Sequence, residues 1–272
     1  MITSSIVTYK TKESDIRTVV QCAIDDCIDK IYIIDNSPTD ELKDIVCSMS
    51  DRIEYIFGHG NIGYGAGHNI AIKKAIELGS TYHVVLNPDI YFDKGVIPEL
   101  ANYMDTHQDI GQLLPKVTYP DGSLQYLCKL LPTPMDMFGR RLLPKKWMDR
   151  RNYRYEMRET GYDKIRVVPI LSGCFMFLRM SVIQKIGLFD DRFFMYFEDF
   201  DLTRRIRRIS KTVYYPCVSI VHNHAAEHRT SSKLLKCSIS SAIKYFNKWG
   251  WLFDRERKMV NKDAFSDKHI MV

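Results

Sequence analysis

The sequence lacks paired cysteines. Its seven (Cys22, Cys27, Cys47, Cys128, Cys174, Cys217 and Cys237) are scattered and odd in number, and none forms a CxxC. This argues against a zinc knuckle and reads as reduced thiols in a cytoplasmic chain. Cys27, on an apolar helical face, and Cys174, in an apolar run, are expected in the core rather than at a reaction centre. No repeat, low-complexity tract or Gly/Ser linker divides the 272 residues, which leaves one large domain or two modest ones. The longest apolar run, VVPILSGCFMFL, carries Ser172 and Gly173 in its middle. It falls short of the roughly 18–20 residues that span a bilayer. The first strand begins almost at Met1, so no signal peptide is expected ahead of the fold. There is no GxxxxGK[ST], and GYGAGH does not fit GxGxxG, so both standard phosphate-loop fingerprints are missing.

What is present is ordinary in bulk and uneven in charge. Hydrophobic residues make up 45% and charged residues 26%, enough to bury a sizeable core. Residues 140–166 hold ten Lys/Arg against four acids, so this window alone carries the whole net charge of +6. Two readings stand for it: a block that meets phosphates or an anionic membrane surface, or a solvated loop. No nucleic-acid module accompanies it, so a nucleic-acid partner is not expected.

The first half alternates strand and helix. TSSIVTY, IYIID, IEYIF and YHVVL read as buried strands, and ESDIRTVVQCAIDD has helical spacing of apolar residues. Pro38-Thr39-Asp40 is read as opening a helix through Met49. GHGNIGYGAGHN is read as a glycine-rich loop of close backbone packing, leading into the helix NIAIKKAIEL. Such alternation indicates a parallel α/β sheet, whose ligands bind beyond the carboxyl ends of its strands. Those ends are Thr8-Tyr9, Asp35-Asn36, residues 58–61, and Asn87-Pro88-Asp89.

The second half is less regular. LLPKVTYPDGSLQYL reads as two strands around Pro120-Asp121-Gly122-Ser123, and RVVPILSGCFMFLR as one long strand broken near Gly173. SVIQKIG reads as a short helix capped by Ser181, and FEDFDLTRRIRRI as a helix with acids in its first turns. TVYYP and VSIVHNH read as two short strands. The tail repeats Leu234, Leu235, Ile239, Ala242, Ile243, Phe246, Trp249 and Trp251 at roughly helical spacing, with Lys233, Lys236, Lys244 and Lys248 among them.

Three features are candidates for chemistry. Asn87 and Asp89 would share a side if the backbone is extended, and could offer oxygens to a hard divalent cation; Asn-Pro-Asp is also an ordinary turn. Glu198 and Asp199 follow an aromatic wall, which raises a carboxyl pKa and suits a general base; acids at a helix start are also ordinary caps. His222 and His224 end an apolar strand and could face a metal or phosphate, or simply solvent.

Taken in order, SIVTYK, IYIIDNSPTD, NIGYGAGHNIAI, VVLNPDIYF, LSGCFMFLRMSVIQKIGLFDDRFFMYFEDFDLTRRI and IVHNH resemble the family 2 inverting glycosyltransferases, especially their bacterial rhamnosyltransferase-like branch. The resemblance covers roughly residues 3–225. It implies an α/β fold of the GT-A type: a Rossmann-like, mostly parallel sheet flanked by helices, with a C-terminal helical tail. Residues 1–230 would be a single catalytic domain, with 1–115 the nucleotide-sugar half and 116–230 the acceptor half. Residues 231–272 would be the tail.

The resemblance also implies a nucleoside-diphosphate sugar donor (dTDP-rhamnose first, UDP-sugars also) and a Mg²⁺ or Mn²⁺ cofactor. The acceptor would be a glycan or lipid-linked glycan of bacterial surface polysaccharide such as O-antigen or capsule. By position, Thr8, Tyr9, Asp35, Asn36, Asn61 and Asn69 would border the donor. Asn87 and Asp89 take the place of the family's DxD motif, with His222 as the late metal or diphosphate ligand. Asp199 would be the base, with Glu198 beside it. The motif opens here on Asn87, a neutral amide, rather than an aspartate. Trp249, Trp251 and Phe253 beside lysines fit a peripheral contact with the inner face of the cytoplasmic membrane; the alternative is packing on the core or on a second subunit of a homodimer. Two other functions compete: a nucleotide-sugar-binding subunit without catalysis, and a sugar nucleotidyltransferase. The latter needs a glycine-rich loop after the first strand, which TYKTKESD does not have.

Overall fold

A computed structural model describes residues 1–139, 144–223 and 232–271. Arg140, Arg141 and His224 lie outside the described residues. The strands are β1 (Ile2–Thr8), β2 (Lys30–Asp35), β3 (Ile53–Ile56), β4 (Tyr82–Leu86), β5 (Ile90–Tyr91), β6 (Ile110–Thr118), β7 (Cys128–Lys129), β8 (Arg166–Val167), β9 (Ile170–Leu171), β10 (Phe175–Arg179) and β11 (Lys211–His222). The helices are α1 (Glu13–Asp25), α2 (Lys43–Cys47), α3 (Tyr64–Glu77), α4 (Val96–Thr106), α5 (Pro134–Phe138), α6 (Lys145–Tyr155), α7 (Met180–Ile186), α8 (Glu198–Arg207), α9 (Ser232–Trp249) and α10 (Arg255–Asp263).

The main sheet runs β3-β2-β1-β4-β10-β6-β11-β5, with β8 pairing β11. β3, β2, β1 and β4 are mutually parallel, as are β6 and β11, and β10 is the antiparallel insertion between the two blocks. The mostly parallel α/β sheet read from the alternation is therefore what forms. Parallel strands buried on both faces need near-continuous apolar sequence, and β2 and β4 have it: Ile31, Ile33, Ile34, Val84, Val85 and Leu86 are fully buried. In the β1–β2 ladder Thr8 stands opposite Asp35, which brings two distant chain segments to one edge.

Several local expectations change. Asp35 accepts the Ser37 N–H at 2.9 Å, so the chain bends there and α2 starts only at Lys43. α3 starts at Tyr64, inside the expected glycine loop, because Gly63 (φ 96°) turns the chain against the Phe194 carbonyl. After the turn at residues 120–123, the expected second strand is reduced to one bridge, Thr118 to Leu124. The run RVVPILSGCFMFLR divides into β8, which pairs with β11, β9, which pairs with β7, and β10, which pairs with β4 and β6. Ser181 lies inside α7, whose cap is Arg179. The two late strands are one, β11, with a register shift between Tyr215 and Ser219. Cys27 follows α1 as an exposed turn residue with φ 62°, not in the core, whereas Cys174 is buried. Much of the basic window is helix α6, with Arg151 paired to Asp136 and Arg158 to Glu156.

The tail packs inward. Ala242, Tyr245 and Phe246 of α9 form a cluster with Phe193 and Phe197. The Trp249 ring lies under the guanidinium groups of Arg204 and Arg208, and its N–H donates to Asp201 at 2.8 Å. Trp249 is thus part of the α8–α9 contact rather than an interfacial anchor.

Candidate functional site

The site is assembled at the carboxyl edge of the sheet, where β1, β2 and β4 end and β11 returns beside β5. Asn87, Pro88 and Asp89 form a turn after β4, with the Ile90 N–H reaching the Asn87 carbonyl at 3.4 Å. The strand does not extend to Asp89. Pro88 sits in the turn, and it is the turn that brings both side chains to His222. His222 Nε2 lies 3.4 Å from Asp89 Oδ1 and 3.4 Å from Asn87 Nδ2.

His222 is buried and oriented from behind by Gln125, whose Oε1 lies 3.0 Å from Nδ1 and whose amide donates to the His222 carbonyl at 2.7 Å. Burial opposes a charge on the imidazole, but the Cys174 sulfur and the Asp89 carboxylate outweigh it and hold its pKa up at about 10. Gln125 was not among the sequence candidates. A polar residue in a loop carries no local signal of the histidine it orients 97 positions away.

The acid pair approaches from α8. Asp199 Oδ2 accepts the Gly173 N–H at 2.8 Å, and Oδ1 accepts that of Phe200 at 2.9 Å. Glu198 is 5% exposed and its Oε2 has no partner among the described residues, whereas Asp199 is only partly buried. Burial, then the neighbouring Asp199 charge, pushes the Glu198 carboxyl well above the ordinary range. Burial raises Asp199 too, against the Gly173 N–H and the charge of Lys129. Two carboxyls so placed cannot both ionise easily; backbone N–H groups favour the charge on both, and Asp199 is the one that is less buried and has a cation, Lys129, to favour its charge.

The backbone entering the pair is strained. Tyr196 and Phe197 both have φ near +70°, in the left-handed region that non-glycine residues avoid. Such a residue costs ~1–3 kcal/mol. Packing offsets this: the Phe197 ring lies 5.3 Å from that of Tyr245 on α9.

One segment joins the two halves of the site. The Tyr64 hydroxyl lies 2.7 Å from the Gly173 carbonyl and 2.8 Å from Asn87 Oδ1, and the Cys174 carbonyl accepts the Asn87 N–H at 2.9 Å. Burial first, then the nearby acids, keeps Tyr64 a neutral phenol. Gly173 is needed for this contact. A Cβ there would sit 2.8 Å from Asp199 Cβ. Gly173→Ala is therefore expected to displace Asp199 and, with Asp199 as the base that the family resemblance implies, to cut turnover by ~10²-fold, the order of cost for a 1 Å misplacement, with donor affinity unchanged. Steady-state release of nucleoside diphosphate, beside calorimetric donor binding, measures both; wild-type turnover would mean that this contact sets nothing. The break at Gly173 was legible in the sequence, and its purpose was not.

The remaining candidates divide. Asp35 is buried and engaged by Tyr55 O–H at 2.5 Å and by the Ser37 N–H, with a second lone pair left on each oxygen. Thr8 Oγ1 is buried with no partner among the described residues, and Tyr9 is exposed. Asn36 ties His59, Asn61 and the Gly63 carbonyl into one loop. Asn69 stands apart. Its amide bonds both backbone groups of Phe189 and the Asp191 carboxylate, so it clamps the 189–191 loop to α3 instead of bordering the edge.

Asp89 offers a carboxylate outright; His222 can add an imidazole nitrogen only by releasing its proton to the metal's competition, and Asn87 its amide oxygen only by sharing it with the Tyr64 hydroxyl. A hard divalent cation takes about six such donors, and Mg²⁺ commonly completes its shell with phosphate and water. The set fits a cation shared with a diphosphate better than an all-protein cage, and among the described residues no cluster of three or more His, Cys, Asp or Glu could hold a metal unaided.

Residues 4–187 match the family model described as Glycosyl transferase family 2. N-acetylglucosaminyl-diphospho-decaprenol L-rhamnosyltransferase of Mycobacterium tuberculosis is 28% identical over 209 residues, 72% of this chain and 66% of that protein. The chain thus spans just under two thirds of that relative. Rhamnosyltransferase WbbL of Escherichia coli is 27% identical over 223 residues, 79% of this chain and 81% of that one. The crystal structure of GalNAc-T7 with UDP, GalNAc and Mn²⁺ superposes with a TM-score of 0.65 at 17% identity, covering 94% of this chain and 49% of that one. That likeness establishes the GT-A fold.

Proposed function

The chain belongs to glycosyltransferase family 2, and from this we propose that it is an inverting glycosyltransferase that moves a sugar, rhamnose by first choice, from a nucleoside-diphosphate donor to a hydroxyl of a glycan or lipid-linked glycan. The products would be bacterial surface polysaccharide, made at the inner face of the cytoplasmic membrane. Among the described residues no helix is long and apolar enough to cross that membrane. The observation that carries the proposal is the link through Gly173 and Cys174, which sets a half-buried carboxylate beside the Asn87–Asp89–His222 group.

The donor would lie over the strand ends, with its base and ribose toward Thr8, Asp35 and the Asn36–Asn61 loop. Asp89, Asn87 and His222 would hold Mg²⁺ or Mn²⁺, which when bound offsets the charge of the departing diphosphate. Asp199 takes the proton of the acceptor hydroxyl as that oxygen attacks the anomeric carbon from the face opposite the leaving group. One displacement inverts the configuration. Glu198, closed off and protonated, keeps a second negative charge away from the developing diphosphate.

Asp89→Ala is expected to weaken donor binding measured by calorimetry with Mn²⁺, with little effect when the metal is omitted. Equal affinity in variant and wild type would remove Asp89 from the metal site. The non-catalytic reading rests on neutral Asn87 in the metal motif. It predicts a chain that binds a donor and never releases nucleoside diphosphate to any acceptor, so a donor panel with a turnover readout separates the two.

A further inference from the structure

Beyond α9 the chain makes a turn that is held firmly and yet presents apolar side chains to water. Gly250 (φ 100°) closes it, because a Cβ there would lie 2.8 Å from the Phe253 carbonyl. The buried Arg257 guanidinium donates to the carbonyls of Gly250 (3.1 Å), Trp251 (2.7 Å) and Pro132 (3.2 Å). Asp254 caps α10 by accepting the Arg257 N–H at 2.9 Å. A turn with this many bonds is not a frayed end. Leu252 is nevertheless 79% exposed and Phe253 96% exposed.

The surroundings extend the pattern. Met259, on the outer face of α10, is exposed, as is Trp147 on α6. Trp251 stacks on Phe138 at 6.2 Å, and at the next residue, Gly139, a Cβ would lie 3.2 Å from Met148 Sδ. These contacts link the turn, through Phe138 and Gly139, to Met148 on α6, the neighbour in sequence of Trp147. Lys145 and Lys146 at the start of α6 and Arg255 and Lys258 on α10 are exposed, as is one acid, Asp149, on α6. The acids of the turn are taken up elsewhere: Asp254 pairs with Arg204, and Glu256 with Arg204 and Arg208.

We propose that this corner, led by Leu252 and Phe253, inserts into the headgroup region of an anionic bilayer. Protruding aromatic and aliphatic side chains, with exposed cations on the helices linked to them, are what an interfacial contact requires. A second copy of the chain fits less well, because an isologous contact would set cations against cations. The contact deepens the lipid-linked acceptor reading and rests on it for its purpose, but lipid binding is measured without turnover.

The test is co-sedimentation of the full chain with vesicles of phosphatidylglycerol and phosphatidylcholine, and of phosphatidylcholine alone. The wild-type chain is expected to bind the anionic vesicles. Leu252→Ser with Phe253→Ser should lower partitioning by on the order of 10-fold or more, and Lys145→Glu with Lys146→Glu should lower it only where the vesicles are anionic. Thermal unfolding of the serine variant and its turnover on a water-soluble acceptor should stay at wild-type values, so a loss of lipid binding is not read as a loss of folding or of the reaction. No binding by the wild-type chain, or equal binding by the serine variant, overturns the proposal. A concentration-dependent dimer in sedimentation velocity that the serine variant abolishes overturns it too, in favour of a self-association surface.

Discussion

Asp199→Asn lowers turnover by ~10²–10⁴-fold, the usual worth of general-base help, and leaves donor binding intact. The isosteric amide keeps the shape of the side chain and an oxygen for one of the Gly173 and Phe200 N–H groups, but sets its NH₂ against the other, so unchanged donor binding is the control that the backbone has stayed in place. What it loses is the ability to take a proton. The pH profile gives a second readout. The base works only when ionised, so kcat/KM falls as pH drops through its pKa. Burial raises the Asp199 pKa, so the acid limb stands above where an ordinary aspartate would put it. Because Asp199 and Glu198 are coupled, the observed limb belongs to the pair. In the Asn variant that limb disappears together with the rate. Turnover at the wild-type rate, or an unchanged acid limb, would assign the base elsewhere.

Arg204→Ala destabilises the chain by ~3–5 kcal/mol, the cost of removing one partner from a buried ion pair. Arg204 is 1% exposed and bonds Asp254 at 2.8 Å and Glu256 at 2.9 Å, while its guanidinium faces the Trp249 ring at 4.2 Å. Truncation leaves Asp254, itself 4% exposed, without its closest cation, and removes packing beneath Trp249. At ~2–4 °C per kcal/mol, the melting temperature should fall by roughly 6–20 °C. Thermal unfolding followed by circular dichroism decides it, and a shift under about 1 °C would show that the cluster contributes nothing net. The same contacts tie α9 and α10 to the helix that carries Glu198 and Asp199. Through them the residues after 231 pack against the helix that carries the acid pair.

Elements were more legible than contacts. β1, β2, β3 and β4 and the helices α1 and α8 lie close to where apolar periodicity puts them. Errors gathered where a long-range contact overrode local preference. α3 begins early because Gly63 meets Phe194, and the apolar run around Gly173 divides because its three parts pair with different strands. For Asn-Pro-Asp the sequence offered a turn or a ligand pair as alternatives. The structure makes it a turn whose two flanking side chains both face His222.

By itself the sequence determined a parallel α/β sheet, the strand ends at which polar groups would gather, and a helix opening on acids. These follow from patterns a few residues long, because periodicity, turn residues and helix dipoles act locally. Only the tertiary structure decided which polar atoms at that edge are still open. Asn69 is fully engaged, Glu198 is closed off, Asp199 is held half-buried by a glycine 26 residues away, and His222 is aimed by a glutamine 97 residues away. Burial and hydrogen-bond partners across such separations come from packing the whole chain, and no short stretch of sequence carries them.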